Sequence, residues 1–213
     1  MSGTASLDEF FDKLCRLRGD YEDRTRRIAD LCAALVGDQD DQGPHEDQAV
    51  LEAHARACFV DGVLAALNWS ILTPADGTGD LVPETPVRSS ASGNIRFLDY
   101  LGLERYTTRP LVVVEVKRPG SPIPKIVGTP QGKVSYTPGA AICEGLRGRE
   151  LNGKWSEWLE TLRDYCKSLV DRGGLPPKRL VITDGEWWII FRNPEAAFVT
   201  GQTIAVNGGK TCW

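Results

Sequence analysis

The chain has 213 residues, of which 41% are hydrophobic and 25% charged, so it is a globular protein long enough for one sizeable core. No apolar run approaches the length of about 18 residues that suggests a membrane span, and the first residues lack the pattern of a secretory signal. We therefore expect a cytoplasmic protein without membrane association. Six scattered cysteines without a C-x-x-C pair, and only two histidines, argue against structural zinc and a disulfide framework.

The net charge of −4 is unevenly distributed along the chain. Residues 1–47 carry 12 acidic and 6 basic side chains, which leaves 17 acidic and 19 basic side chains in residues 48–213. The positive excess of the second part is small, so charge alone does not predict binding to DNA or RNA.

The N-terminal segment is rich in charge but has a regular apolar pattern. Apolar residues recur at helical spacing over residues 7–36, which predicts a long amphipathic helix or a helical pair broken near Gly19. Nothing in this segment assembles a reactive site, so we expect it to pack within the protein, bind a protein partner or mediate self-association. An acidic, turn-rich link follows, and we place a domain boundary between residues 44 and 45.

The second predicted domain, residues 45–213, has the pattern of an α/β fold. Its predicted elements are a helix at 45–68, strands at 82–88, 95–103 and 111–117, a helix at 154–171, and strands at 179–183 and 186–191. Gly- and Pro-rich residues 119–153 are predicted to form an irregular insertion, and the Asp184-Gly185 pair predicts a tight hairpin turn. Two short apolar pieces, near 197–200 and 203–206, complete the chain.

The strand at 111–117 carries two charges in an otherwise apolar run. Glu115 and Lys117 project from the same face because side chains alternate across a strand. Burying either charge costs several kcal/mol unless it is paired or holds a metal. With Asp99 in the preceding strand, this is the layout of a metal-dependent phosphodiesterase, and oxygen ligands favour Mg²⁺ or Mn²⁺. The alternative is a Glu–Lys ion pair on the solvent-exposed face of an edge strand.

Four segments carry a resemblance to a known family. They are Glu52-x-x-x-Arg56-x-x-Phe59-Val60-Asp61, Phe97-Leu98-Asp99-Tyr100-Leu101, Val114-Glu115-Val116-Lys117-Arg118-Pro119-Gly120 and Ile182-Thr183-Asp184-Gly185-Glu186-Trp187-Trp188. Together with the order of the elements, they resemble the PD-(D/E)-x-K nuclease superfamily, and most closely the N-terminal nuclease domain of type I restriction enzyme R subunits. The resemblance covers about residues 45–193. It implies a restriction-endonuclease-like three-layer fold, with a mixed central sheet flanked by helices.

The resemblance also implies the roles of individual residues. Asp99, Glu115 and the backbone carbonyl of Val116 would hold one or two divalent cations, and Glu52 would add a ligand directly or through water. Lys117 would orient the attacking water and offset negative charge on the phosphorus group.

Three further residues are expected to contact substrate: Arg118, Thr161 and Tyr165. Thr161 stands where the family usually has the Gln of a Gln-x-x-x-Tyr motif. Residues 148–154 match the spacing of a phosphate-binding loop, but Trp155 replaces the Ser or Thr that would bind Mg²⁺, so no nucleotide cofactor is expected.

The predicted function is that of a divalent-metal-dependent endonuclease acting on DNA, with RNA left open as a substrate. Restriction or antiviral defence is the expected context, with this chain as a module of a larger complex, because it contains no motor domain. The alternative is a noncatalytic module that keeps the nuclease fold for binding nucleic acid or protein.

Overall fold

The computed structural model describes residues 7–36, 53–71, 80–104, 109–128, 137–171, 174–194, 198 and 206–210. The chain divides into two compact units, Met1–Ser70 and Ile71–Trp213. The predicted domain boundary between residues 44 and 45 lies outside the described residues, and the helical segment that follows it belongs to the first unit. No helix among the described residues is both long and apolar enough to cross a membrane.

The described residues of the first unit, 7–36 and 53–70, form two helices. Helix α1 spans Leu7–Val36 without a break, so Gly19 does not divide it. Helix α2 covers residues 53–66 and contains a π-helical turn at Arg56–Val60, before a regular stretch at Asp61–Ala66. After α2, Asn68 takes a left-handed conformation with φ 63°, which Asn tolerates at a helix end better than most residues.

Helix α1 packs on α2 through its apolar stripe. Leu14 is buried, and a Cβ atom added at Gly62 would lie 2.5 Å from Cδ2 of Leu17, so glycine permits the close approach of the two helices. Tyr21 and Phe59 place their ring centroids 5.6 Å apart. The stripe is therefore covered in part within its own unit, while Phe11 and Ile28 stay exposed.

The second unit contains a six-stranded mixed sheet with its strands in sequence order. Among the described strands, β3 and β4 pair in parallel and the other neighbours pair antiparallel. The strands are β1 Leu81–Arg88, β2 Ile95–Leu103, β3 Pro110–Val116, β4 Arg179–Thr183, β5 Trp187–Phe191 and β6 Val206–Lys210. The predicted α/β class is confirmed, with the first five strands within one residue of their predicted positions.

Two helices lie in the connection between the parallel strands. Helix α3 spans Pro138–Leu146, and helix α4 spans Trp155–Val170. The prediction of an irregular insertion over 119–153 is therefore wrong for α3. Thr137 caps this helix by accepting a hydrogen bond from the Ala140 N–H (3.3 Å), and Pro138 occupies its first turn, where the missing N–H has no cost.

The core of the second unit lies between the sheet and the two helices. One face of α4 buries apolar side chains against inward-facing residues of β3, β4 and β5, because these residues recur at helical spacing. The largest fully buried side chains of this core belong to Leu98, Ile142, Trp155, Leu162, Leu180, Ile182 and Phe191. This packing fixes α4 over the end of β3 that carries the predicted site.

Candidate active site

The sheet brings two predicted carboxylates together. Tyr100 of β2 pairs with Val114 of β3, and Asp99 and Glu115 are the next residues outward on each strand. The Val116 N–H donates a hydrogen bond to Oδ2 of Asp99 (2.7 Å), which links the acid of β2 directly to the backbone of β3. Asp99 and Glu115 therefore lie on neighbouring positions of β2 and β3, as predicted from the two strands.

The ladder between β1 and β2 is interrupted beside Asp99. Pairing is regular at Pro83 with Tyr100 and at Thr85 with Leu98, but Glu84, which lies between these pairs, has φ 50°. A positive φ is uncommon for a residue with a side chain, and such conformations cluster at functional sites. The local departure from strand geometry therefore coincides with the position of the predicted metal ligand.

Glu115 and Lys117 form an ion pair with little access to solvent. Nζ of Lys117 lies 2.7 Å from Oε1 of Glu115, and the two side chains are 13% and 8% exposed. Strand β3 is an inner strand between β2 and β4. The alternative of a solvent-exposed pair on an edge strand is therefore wrong, and the cost of removing both charges from water has to be offset by their environment.

Helix α4 covers this pair with aromatic side chains. Nζ of Lys117 lies 5.7 Å from the centre of a Trp158 ring. The Tyr165 hydroxyl donates a hydrogen bond to the Phe97 carbonyl (3.2 Å). Burial raises the pKa of Tyr165, and the negative charges of Glu115 and Asp99 raise it further, so the phenol is neutral and close to both carboxylates.

The remaining predicted residues have different surroundings. Thr161 accepts a long hydrogen bond (3.5 Å) from Nη1 of Arg96, and Nε of Arg96 lies 3.8 Å from Oδ2 of Asp164. Arg118 is exposed directly after β3. Glu52 lies outside the described residues.

The described residues supply part of the predicted metal site. Among them, no group of three or more His, Cys, Asp or Glu side chains is arranged to hold a metal ion. Asp99 and Glu115 lie at neighbouring positions of the sheet. The Val116 carbonyl and Glu52 as additional ligands stay predictions.

A third acid close to the end of β3 was interpreted from the sequence only as a turn residue. Asp184 is 2% exposed, and its Oδ1 accepts hydrogen bonds from the backbone N–H groups of Glu186 (2.9 Å) and Trp187 (3.1 Å). The Lys117 N–H donates to the carbonyl of the preceding Thr183 (2.6 Å). The Asp-Gly pair signalled the turn, but no local pattern indicates that the carboxyl group is buried.

The pH dependence of stability should report on Asp184. Burial raises the pKa of this carboxyl group from 3.8 to about 6, against the opposing effect of its backbone hydrogen bonds. The unfolded chain therefore ionises first, and the free energy of unfolding falls as pH rises between about 4 and 6. Asp184→Asn keeps an acceptor at Oδ1 and removes the charge, so we expect it to be more stable than the wild type above pH 6, by at most about 3 kcal/mol.

Urea unfolding from pH 4 to 7.5 measures this effect. Asp171→Asn, which removes an exposed carboxylate from the same unit, is the matched control. Parallel stability curves for the wild type and Asp184→Asn across this range would show that the Asp184 carboxyl group is not responsible.

Comparison with known proteins gives no relative from which to transfer a function. No family model matches the chain, and neither the curated proteins nor the solved structures yield a significant match. The resemblance to PD-(D/E)-x-K nucleases therefore stays a prediction from the motifs, and a function has to be inferred from the geometry around Asp99, Glu115 and Lys117.

Proposed function

We propose that the protein is a divalent-metal-dependent endonuclease that hydrolyses DNA phosphodiester bonds, in restriction or antiviral defence. The observation that carries this proposal is the juxtaposition of Asp99, in the middle of β2, with Glu115 and Lys117 at the C-terminal end of β3, where the ion pair is largely removed from solvent. A restriction-endonuclease-like fold is part of the proposal. It is supported by the antiparallel β1–β2–β3 meander, the parallel β4 and the crossover through α4.

The residues present fit a hard divalent cation. Asp99 and Glu115 offer carboxylate oxygens, which suit Mg²⁺ and Mn²⁺, and the Val116 carbonyl and Glu52 would complete the ligand set. When bound, such a cation polarises a phosphate oxygen and makes nearby water more acidic. The Val116 N–H fixes the direction of the Asp99 carboxylate, so this ligand needs little reorganisation before binding.

Lys117 supplies the positive charge that phosphodiester cleavage requires. Its ammonium group is held beside Glu115, where it can donate a hydrogen bond to a water molecule or to a phosphate oxygen. A preorganised donor in a poorly hydrated site stabilises developing negative charge more strongly than the same donor in water. The next residue, Arg118, is exposed, and we propose that it contacts the DNA backbone.

Metal dependence is the first test of this proposal. We expect purified protein to cleave plasmid or linear DNA with Mg²⁺ or Mn²⁺, and to show little cleavage with Ca²⁺, whose coordination geometry is looser. Asp99→Asn, which removes one charge from the ligand set with little change in shape, should abolish most of the cleavage. RNA substrates of the same sequence establish the substrate class.

Two outcomes would contradict the proposal. Full cleavage in EDTA would exclude a metal mechanism. Binding of DNA or protein without cleavage under any metal condition would instead favour the noncatalytic module.

A further inference from the structure

Trp158 on α4 contacts Lys117 of the candidate active site, although the sequence analysis did not predict it as a site residue. We propose that Trp158 is a positioning residue, which holds the Lys117 ammonium group beside Glu115 and keeps it there when Glu115 binds a cation. The inference rests on the proposed nuclease function for its catalytic meaning. The contact itself is a feature of the folded chain.

The geometry is that of a cation–π interaction. Nζ of Lys117 lies 5.7 Å from the centre of a Trp158 ring, within the limit of about 6 Å for such contacts, and tryptophan provides the strongest ring. The ammonium group is thus placed between the indole and the Glu115 carboxylate, 2.7 Å from Oε1. A lysine side chain has four rotatable bonds, so a second contact limits its freedom to swing into solvent.

The Trp158 ring is itself held by buried neighbours. Trp155 packs edge-on against it with centroids 5.0 Å apart. Trp155 is fully buried, donates its Nε1–H to the Pro122 carbonyl (2.7 Å) and contacts Trp187 at 5.4 Å. The orientation of the indole over Lys117 is therefore set by the core.

Glu115 would have two roles, as the counter-ion of Lys117 and as a ligand of the metal ion. In the structure its carboxylate is the counter-ion of Lys117. As a metal ligand it would share its charge with a cation, and the cation would repel the ammonium group. With a cation bound to Glu115, the ring face of Trp158 would still attract the ammonium group of Lys117. An aliphatic side chain of similar size would not attract it.

NMR tests the contact without any activity measurement. Nζ of Lys117 lies over the Trp158 ring, so in protein with ¹³C-labelled lysine we expect the adjoining ε-methylene protons to resonate upfield of those of the other lysines. Lys117→Met identifies the signal. We expect Trp158→Phe to keep part of the shift and Trp158→Leu to lose it. A Lys117 signal without an upfield shift in the wild type would overturn the proposal.

Cleavage rates then test the positioning role. Under single-turnover conditions we expect Trp158→Leu to slow cleavage about tenfold and Trp158→Phe to stay within about threefold of the wild type. In the Lys117→Met background, Trp158→Leu should cost nothing further, because the group that it positions is gone. An equal loss in both backgrounds would show a general structural role and overturn the proposal.

The same experiments separate this inference from the proposed function. If the wild type shows the upfield Lys117 signal but cleaves no nucleic acid, the nuclease proposal fails, while the positioning of Lys117 by Trp158 stands. If the wild type cleaves but shows no such signal, the positioning proposal fails alone. Melting temperatures of each variant establish that the comparison is made on folded protein.

Discussion

Lys117→Ala is expected to slow DNA cleavage by about a hundredfold or more while metal binding largely survives. This is the scale on which a single preorganised electrostatic group contributes to a transition state. The structure strengthens the expectation because the Lys117 side chain is 13% exposed and its ammonium group contacts both Glu115 and Trp158. Glu115→Ala should instead weaken metal affinity as well as the rate, since it removes a ligand.

The buried environment adds a condition to this experiment. Removing one partner of a buried ion pair takes away the charge that compensates the other and costs up to about 3–5 kcal/mol of stability. Lys117→Ala must therefore be assayed well below its melting temperature, and Lys117→Met, which keeps most of the side-chain volume, separates packing from charge. Lys167→Ala, on the exposed side of α4, is the matched control.

Single-turnover cleavage at saturating protein, with the metal titrated for each variant, gives the answer. A wild-type rate in folded Lys117→Ala would remove the catalytic assignment of this residue, even if the Glu115 variant were inactive. A loss in both variants that additional metal restores would assign Lys117 to metal binding.

The strands were predictable because their signals are local. β-Branched and aromatic residues alternate or cluster between turn residues, and the Asp184-Gly185 pair marked the turn between β4 and β5. The turn is wider than predicted, because Thr183 pairs with Trp188 and four residues lie between them. Helix α3 was missed for the opposite reason. Pro138 and Gly139 are loop signals in most contexts, and only their position directly after the capping Thr137 makes them a helix start.

The site was predictable in its residues but not in its environment. Side-chain alternation was enough to place Glu115 and Lys117 on one face, and the register of β2 and β3 brings Asp99 alongside. The burial of the ion pair depends on α4, which begins 38 residues after Lys117, and on β4 becoming a neighbour of β3. Trp158 and Asp184 acquire their importance only through this packing, so no local pattern could have indicated it.

Trp155→Ala is expected to destabilise the protein strongly. Its side chain is fully buried at the start of α4, contacts the rings of Trp158 and Trp187, and donates to the Pro122 carbonyl. Truncating a buried aromatic side chain of this size costs about 3–5 kcal/mol, because apolar burial is lost and a cavity remains. We expect the midpoint of urea unfolding to fall accordingly, with little change in its slope.

Trp155→Phe separates the contribution of the buried ring from that of the hydrogen bond to the Pro122 carbonyl. It keeps a ring in the core but loses the hydrogen bond to Pro122, so we expect an intermediate loss of about 1–3 kcal/mol. Trp188→Phe on β5 is the control, because Trp188 is only half-buried and lies outside this cluster; it should cost less than about 1 kcal/mol. Equal losses in Trp155→Ala and Trp188→Phe would contradict a core role for Trp155, and would also remove the rigid support that the orientation of Trp158 over Lys117 requires.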